Sequence, residues 1–179
     1  AIGELPIAGY PISAKLAAMK HAASVTTRPF LLLLDTDTVV LNEIEYHSDG
    51  SAELFVKRAD GSDQYWISEE AEDDWKRAYS LFNSEYPGYT SETSETGVPI
   101  PPYWNAGFVL TSDEEFPSEW LSATRTVYQS NLSERFFADQ VALGVLSTQY
   151  EVEEVSELYN YPLPFRYRCP SNIRVLHYH

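Results

Sequence analysis

The chain has 179 residues with a net charge of −15, enough for one domain with a real core. Its apolar fraction of 44%, with thirteen Tyr and four Trp, argues against intrinsic disorder. The net charge disfavours unaided binding to nucleic acid or an anionic membrane, since both are polyanions. The one cysteine, Cys169, allows no internal disulfide. The longest apolar run, Phe30 to Leu34, is far too short for a membrane span, and no signal peptide precedes it. These absences lead to the expectation of a cytoplasmic protein. Asn131-Leu132-Ser133 fits a glycosylation sequon but falls at a helix end, where chance explains it.

In chain order, Ile12, Leu16, Met19 and Ala23 recur at helical spacing, which predicts a helix over 12–24. Thr26 to Pro29 breaks it. Phe30 to Leu34 then reads as a strand buried on both faces, as in a parallel sheet, because it lacks polar alternation. A hairpin is expected over 44–66, with turns at Ser48-Asp49-Gly50 and Ala59-Asp60-Gly61 around the strand Glu53 to Lys57. Ala71, Trp75, Ala78, Tyr79 and Phe82 share one face of a helix from Glu69 to Phe82. The Ser-, Pro- and Gly-rich stretch 84–102 reads as a long loop. Asn105 to Leu110 reads as a strand, Glu114 to Gln129 and Arg135 to Leu146 as helices. Glu151 to Val155 and Ile173 to Leu176 complete the strands. The fold class is α/β, a three-layer open and mostly parallel sheet with flanking helices, in a single domain spanning 1–179.

Chemistry concentrates at four places. Asp35-Thr36-Asp37 ends the buried strand, where open α/β sheets place ligands. Two carboxylates on one side of an extended backbone repel unless a cation joins them. Oxygen ligands of this kind suit Mn²⁺ or Mg²⁺. In Trp104-Asn105-Ala106-Gly107-Phe108, the small residues allow close backbone approach to a ligand, or mark a plain glycine bulge. Asp139-Gln140 interrupts an otherwise apolar helix, either serving a site or complementing the helix dipole. His177 ends the last strand and offers an imidazole for metal, or a structural contact.

The order of these features, with Ala14-Lys15-Leu16 before them and Leu163-Pro164-Phe165 between the last two, resembles the retaining glycosyltransferases of the glycogenin and lipopolysaccharide-galactosyltransferase type. The resemblance spans residues 14 to 179 and implies the nucleotide-diphospho-sugar transferase fold, GT-A. It further implies a metal site made by Asp35, Asp37 and His177, with Asp35 also meeting the donor. Lys15, Asn105, Ala106 and Gly107 would then line the donor pocket, and Asp139 with Gln140 would face the transferred sugar. The implied partners are a nucleotide-sugar donor and an acceptor, the implied reaction hexose transfer with retention. Three departures accompany it. Only 34 residues precede Asp35, where the family has a nucleotide-gripping βαβ unit. The chain stops two residues after His177, where the family continues with glycine and lysine. The 67 residues between Asp37 and Asn105 suggest an inserted hairpin and helix over about 44–83. The first two lead to the expectation of a domain cut at both ends.

Two other readings compete. Leu31 to Val39 also fits the first motif of haloacid dehalogenase phosphatases, with Asp35 as nucleophile, Asp37 as general acid and Mg²⁺. That chemistry needs a later acid pair after a strand, whereas Asp73-Asp74 falls inside a predicted helix. A non-catalytic sugar-nucleotide-binding relic would keep the same fold.

Overall fold

The computed structural model describes residues 5–45, 51–61, 64–166 and 168–178. Among them are four α-helices: α1 (Ser13–Val25), α2 (Glu72–Ser80), α3 (Phe116–Gln129) and α4 (Ala138–Ser147). The strands are β1 (Leu31–Leu34), β2 (Thr38–Val40), β3 (Leu54–Arg58), β4 (Ser91–Glu92), β5 (Pro99–Ile100), β6 (Trp104–Thr111), β7 (Val152–Glu154), β8 (Tyr161–Pro162) and β9 (Val175–His177). The larger sheet has the order β1-β6-β3-β7, and a smaller one runs β2-β9-β8.

The leucine run of β1 lacks alternation because the two faces of the large sheet meet different apolar clusters. On one side, Leu33, Leu54, Val56, Ala106 and Val109 join α1, α3 and α4 in the main core. On the other, Leu32, Leu34, Phe55, Phe108 and Leu110 meet Val175 of β9 and Val155. Both faces of β1 are therefore covered as expected, with Leu33 buried and Leu31, Leu32 and Leu34 partly so, but the strand directions are not as expected. In this sheet β1 and β3 both run antiparallel to β6, and among its ladders only β3–β7 is parallel. The sheet is mixed, not mostly parallel. An apolar run reports how many faces are covered and carries no information about direction.

The hairpin over 44–66 does not form as expected. Its first turn lies outside the described residues, and β3 pairs with β6 and β7 instead of a sequence neighbour. Leu54, Phe55 and Val56 are buried on the two faces of β3, which suits an interior strand better than a surface ribbon. The helix expected over 69–82 is a 3-10 turn, Glu69–Ala71, followed by α2. Its apolar face belongs to the main core. Trp75 meets Trp66 and Tyr103 edge-on at centroid distances of 4.9 and 5.4 Å, and its indole N–H donates to the Trp66 carbonyl at 2.9 Å. Contacts of this type add about 1 kcal/mol each beyond area burial. Within 84–102 a small β4–β5 ladder is present.

Helix α4 carries the site's acidic residue and is held tightly from behind. A Cβ at Gly144 would run into the carbonyl oxygen of Pro102. In an isolated helix Gly144→Ala would stabilise by about 1 kcal/mol. Here we expect the opposite sign, a loss of about 1–3 kcal/mol from overpacking, read as a lower urea midpoint. A raised midpoint would show that α4 has slack against Pro102.

Candidate active site

The site lies where β1 ends. Asp35 N–H donates to the Gly107 carbonyl at 3.0 Å, one step beyond the β1–β6 ladder. The chain then turns at Thr36-Asp37 instead of continuing extended. The turn is fastened by Thr38, whose hydroxyl and N–H both donate to the Asp35 carbonyl, at 2.7 and 3.3 Å. It leads directly into β2, which pairs with β9 so that Thr38 sits opposite His177. Tyr178 N–H donates to the Asp37 carbonyl at 3.1 Å. A turn, not a shared strand face, thus brings the two carboxylates together and sets them beside the imidazole.

One ligand atom from each of Asp35, Asp37 and His177 falls within 4.8 Å of the other two. In six-coordinate geometry with bonds of about 2.1 Å, neighbouring ligands stand about 3 Å apart and opposite ones about 4 Å. Asp37 Oδ1 lies 3.3 Å from His177 Nε2, yet it is enclosed and accepts no hydrogen bond among the described residues. A buried carboxylate oxygen without a donor is costly, and a divalent cation between it and the imidazole would satisfy both. The donor set fits Mn²⁺ or Mg²⁺.

Lys15, on α1, reaches the same point from the other side. Its ammonium contacts Asp35 Oδ1 at 2.8 Å and Asp139 Oδ2 at 3.2 Å, and donates to the Ala106 carbonyl at 3.3 Å. Burial opposes its charge, but Asp139 and Asp35 outweigh that and hold the ammonium above its usual range. Asp35 is pushed up, chiefly by burial and further by Asp139 and Asp37, against the pull of Lys15. Asp139 lies in the first turn of α4, its side chain only 3% exposed. Its Oδ1 accepts the Tyr10 hydroxyl at 2.8 Å, and Tyr10 in turn accepts from Asp139 N–H at 3.2 Å.

A cleft of about 780 Å³ opens above these groups, with Lys15, Asp35, Asp37, Asn105, Asp139, Gln140 and His177 in its wall. The structure thereby brings together seven of the nine residues that the sequence marks. Ala106 and Gly107 lie just beneath the wall. Gly107 is needed there for space, since a Cβ would come within 2.9 Å of Asn105 Oδ1 and 3.3 Å of a His177 ring carbon. The ladder between β3 and β6 slips at this point, so that Val56 faces Val109 while Lys57 faces Asn105. Ala106 to Phe108 thus form a bulge of the kind that re-aims side chains. Asn105 and the acid pair Asp73-Asp74 differ sharply in setting. Asp74 is held on α2 by Tyr65 and the Ser133 N–H, away from the cleft, which leaves the phosphatase reading without its second acid pair.

Residues 7–151 match the Rhodobacterales glycosyltransferase domain. The chain belongs to this family. The match includes Lys15, Asp35, Asp37, Asn105, Asp139 and Gln140, while His177 lies beyond it. No curated protein matches the chain. Among solved structures, galactosyltransferase LgtC in complex with donor and acceptor sugar analogs is similar, with a TM-score of 0.52 and 17% identity. An active-site mutant of LgtC gives 0.51 and 14%. Each likeness covers 91% of this chain and 57% of the other, so the chain spans little more than half the length of these structures. At such identities the likeness is one of fold, and that fold is GT-A. Among the described residues, no helix of this glycosyltransferase domain is long and apolar enough to cross a membrane.

Sequence reasoning missed several residues of the domain's cleft. Tyr10 holds Asp139 but precedes the first helix with no motif to mark it. Asp60, expected only as part of a turn, lines the cleft beside Gln64. Asn160, fully buried, has neither amide atom paired among the described residues and lies against the Gly107 position. Only the folded chain connects these to the site.

Two outcomes follow for stability. Removing the ammonium with Lys15→Met leaves Asp139 buried beside Tyr10 alone and should cost about 2–3 kcal/mol. Adding Asp139→Asn should restore more than half of it, measured by urea denaturation. Additive losses in the double variant would show that the two do not interact. Burial and then Asp139 hold the Tyr10 phenol far above its usual range. A proton kept in the folded state and released on unfolding gives stability that is full below about pH 10 and declines as pH rises further. Tyr10→Phe should therefore flatten the loss of stability above pH 10. An unchanged alkaline slope would place Tyr10 in contact with solvent.

Proposed function

We propose that the chain transfers a hexose from a nucleoside diphosphate sugar to an acceptor, using Mn²⁺ or Mg²⁺ and retaining anomeric configuration. The observation that carries this reading is the unpaired, enclosed Asp37 Oδ1 facing His177 at the wall of the cleft. Family and fold support sugar transfer in general, and LgtC has been crystallised with donor and acceptor sugar analogs. Retention follows only from the sequence resemblance. The cleft volume suits a ligand of nucleotide-sugar size.

In this reading Asp35, Asp37 and His177 hold the cation, which when bound neutralises the departing diphosphate. An acidic chain would otherwise repel an anionic donor. Lys15 carries the positive charge next to that position and keeps Asp35 and Asp139 from repelling each other. Asp139, fixed by Tyr10 and Lys15, presents a carboxylate toward the sugar and stabilises positive charge that develops there as the bond to the diphosphate breaks. Gln140, its neighbour in the cleft wall, offers both donor and acceptor to sugar hydroxyls.

The test compares Asp37→Asn with Asp139→Asn. Asp37→Asn should abolish the rise in melting temperature caused by Mn²⁺ and lose donor binding with it. Asp139→Asn should keep nucleotide affinity within a few-fold and slow turnover by about two to three decades. Product anomers are read by NMR. Mn²⁺ stabilisation that survives Asp37→Asn would overturn the metal site. Tight nucleotide-sugar binding without turnover in the parent would favour the non-catalytic relic.

A further inference from the structure

Behind the cleft, β3 places a lysine where a central strand normally carries an apolar residue. Lys57 is 1% exposed, among the most enclosed large side chains of the molecule. Its ammonium has no hydrogen bond among the described residues, and the only acidic group within ion-pair reach there is Asp60, at Oδ1. Asp60 is itself 8% exposed and lines the cleft, whereas Lys57 does not. The other Asp60 oxygen, Oδ2, accepts from Asn105 Nδ2 at 2.8 Å, and Oδ1 also accepts from the Ser94 hydroxyl at 3.1 Å. Asn105 then uses its carbonyl oxygen to accept Gly107 N–H at 2.8 Å. The chain of contacts runs from a buried cation, through one cleft carboxylate, to the cleft amide and the bulge beneath it.

We infer that Lys57 is a positioning residue that fixes Asp60 as a carboxylate and, through it, the orientation of Asn105 in the cleft. This deepens the glycosyltransferase reading, since it concerns how that cleft presents its polar groups, but the contacts themselves do not depend on the reaction. A lone lysine in a strand interior is expensive, and a carboxylate placed against it is the means of keeping both ionised. With the negative charge satisfied on Oδ1, Oδ2 stays acceptor-only and determines which way the Asn105 amide points. Asn105 Oδ1 is then committed to Gly107, which secures the bulge that gives His177 its space. A neutral Asp60 could donate from Oδ2, and the Asn105 amide would turn over. The charges around the pair come from every side. Burial pulls the Lys57 value down to about 8, while Glu95, Glu157 and Glu154 favour the ammonium and Arg166 opposes it. Arg166 is itself engaged by Glu95 at 2.6 Å and Glu157 at 2.5 Å.

The side-chain NH₂ resonances of Asn105, assigned through Asn105→Asp, report the state of Asp60 by NMR without any substrate. In the parent protein they should stay in place between about pH 4.5 and 6, because a paired carboxylate remains ionised there. In Lys57→Met, a buried Asp60 without its counter-charge should protonate inside that window and move them. The double variant Lys57→Met/Asp60→Asn should be flat again. A parent whose Asn105 signals titrate in that window would overturn the inference without recourse to any variant, and so would a flat profile in a folded Lys57→Met. In the transfer reaction Lys57→Met should lower kcat/KM about tenfold or more with Mn²⁺ affinity unchanged, and more strongly at pH 5 than at pH 8. Transfer by Lys57→Met that matches the parent at both pH values would equally overturn it. If the NMR behaves as expected and no nucleotide sugar is turned over by the parent, the positioning role stands and the proposed reaction falls.

Discussion

One ammonium group, that of Lys15, sits between carboxylates from the end of β1 and the start of α4. Without a cation at this point, the convergence of α1, β1 and α4 would be costly, because Asp35 and Asp139 would repel each other in a poorly hydrated place. The packing of α1 and α4 with the sheet in one core and the shape of the cleft both depend on that neutralisation. It also sets a limit. Lys15 is committed to two acids and a backbone carbonyl, so the second acid of the turn, Asp37, has to find its positive partner elsewhere. The structure leaves it opposite a histidine, its inner oxygen without a hydrogen bond among the described residues.

The site is built on irregularities of otherwise regular elements. β1 gives way to a turn, β6 bulges over Ala106 to Phe108, and β3 carries a charged residue in its interior. Each departure costs something in ladder bonds or desolvation. They fall around one cleft, while Trp66, Trp75 and Tyr103 fill the adjoining core with ordinary close packing. Such a distribution is expected where backbone regularity gives way to function.

Much of this was legible in the residues. The helices over 12–24, 114–129 and 135–146 carry clear apolar periodicity, and all three form with ends moved by a few residues. The carboxylates Asp35 and Asp37 stand out because acids rarely end an apolar run, and Asp139 because its helix is otherwise apolar. Strand direction was not legible, since Leu31 to Leu34 would read the same beside a parallel or an antiparallel neighbour. Nor was the pairing of β3, because turn residues flank it and a turn signal names no partner. Tyr10, Asp60 and Lys57 were beyond reach for another reason. Their roles arise from side-chain contacts that cross the fold, as from Tyr10 to Asp139, and no local pattern encodes those.

The placement of His177 on β9 has a consequence for how the molecule comes together. Asp37 belongs to the first third of the chain and the imidazole to its last three residues, joined through a sheet of strands only two or three residues long. Short ladders of this kind open more readily than the central core, and contacts so distant in sequence close late in folding. The contact between Asp37 and His177 is then expected to order late and to open early. A bound ion, by bridging the two ends, would act as a clasp on the small sheet, so that amide exchange along β2 and β9 becomes a measure of its occupancy.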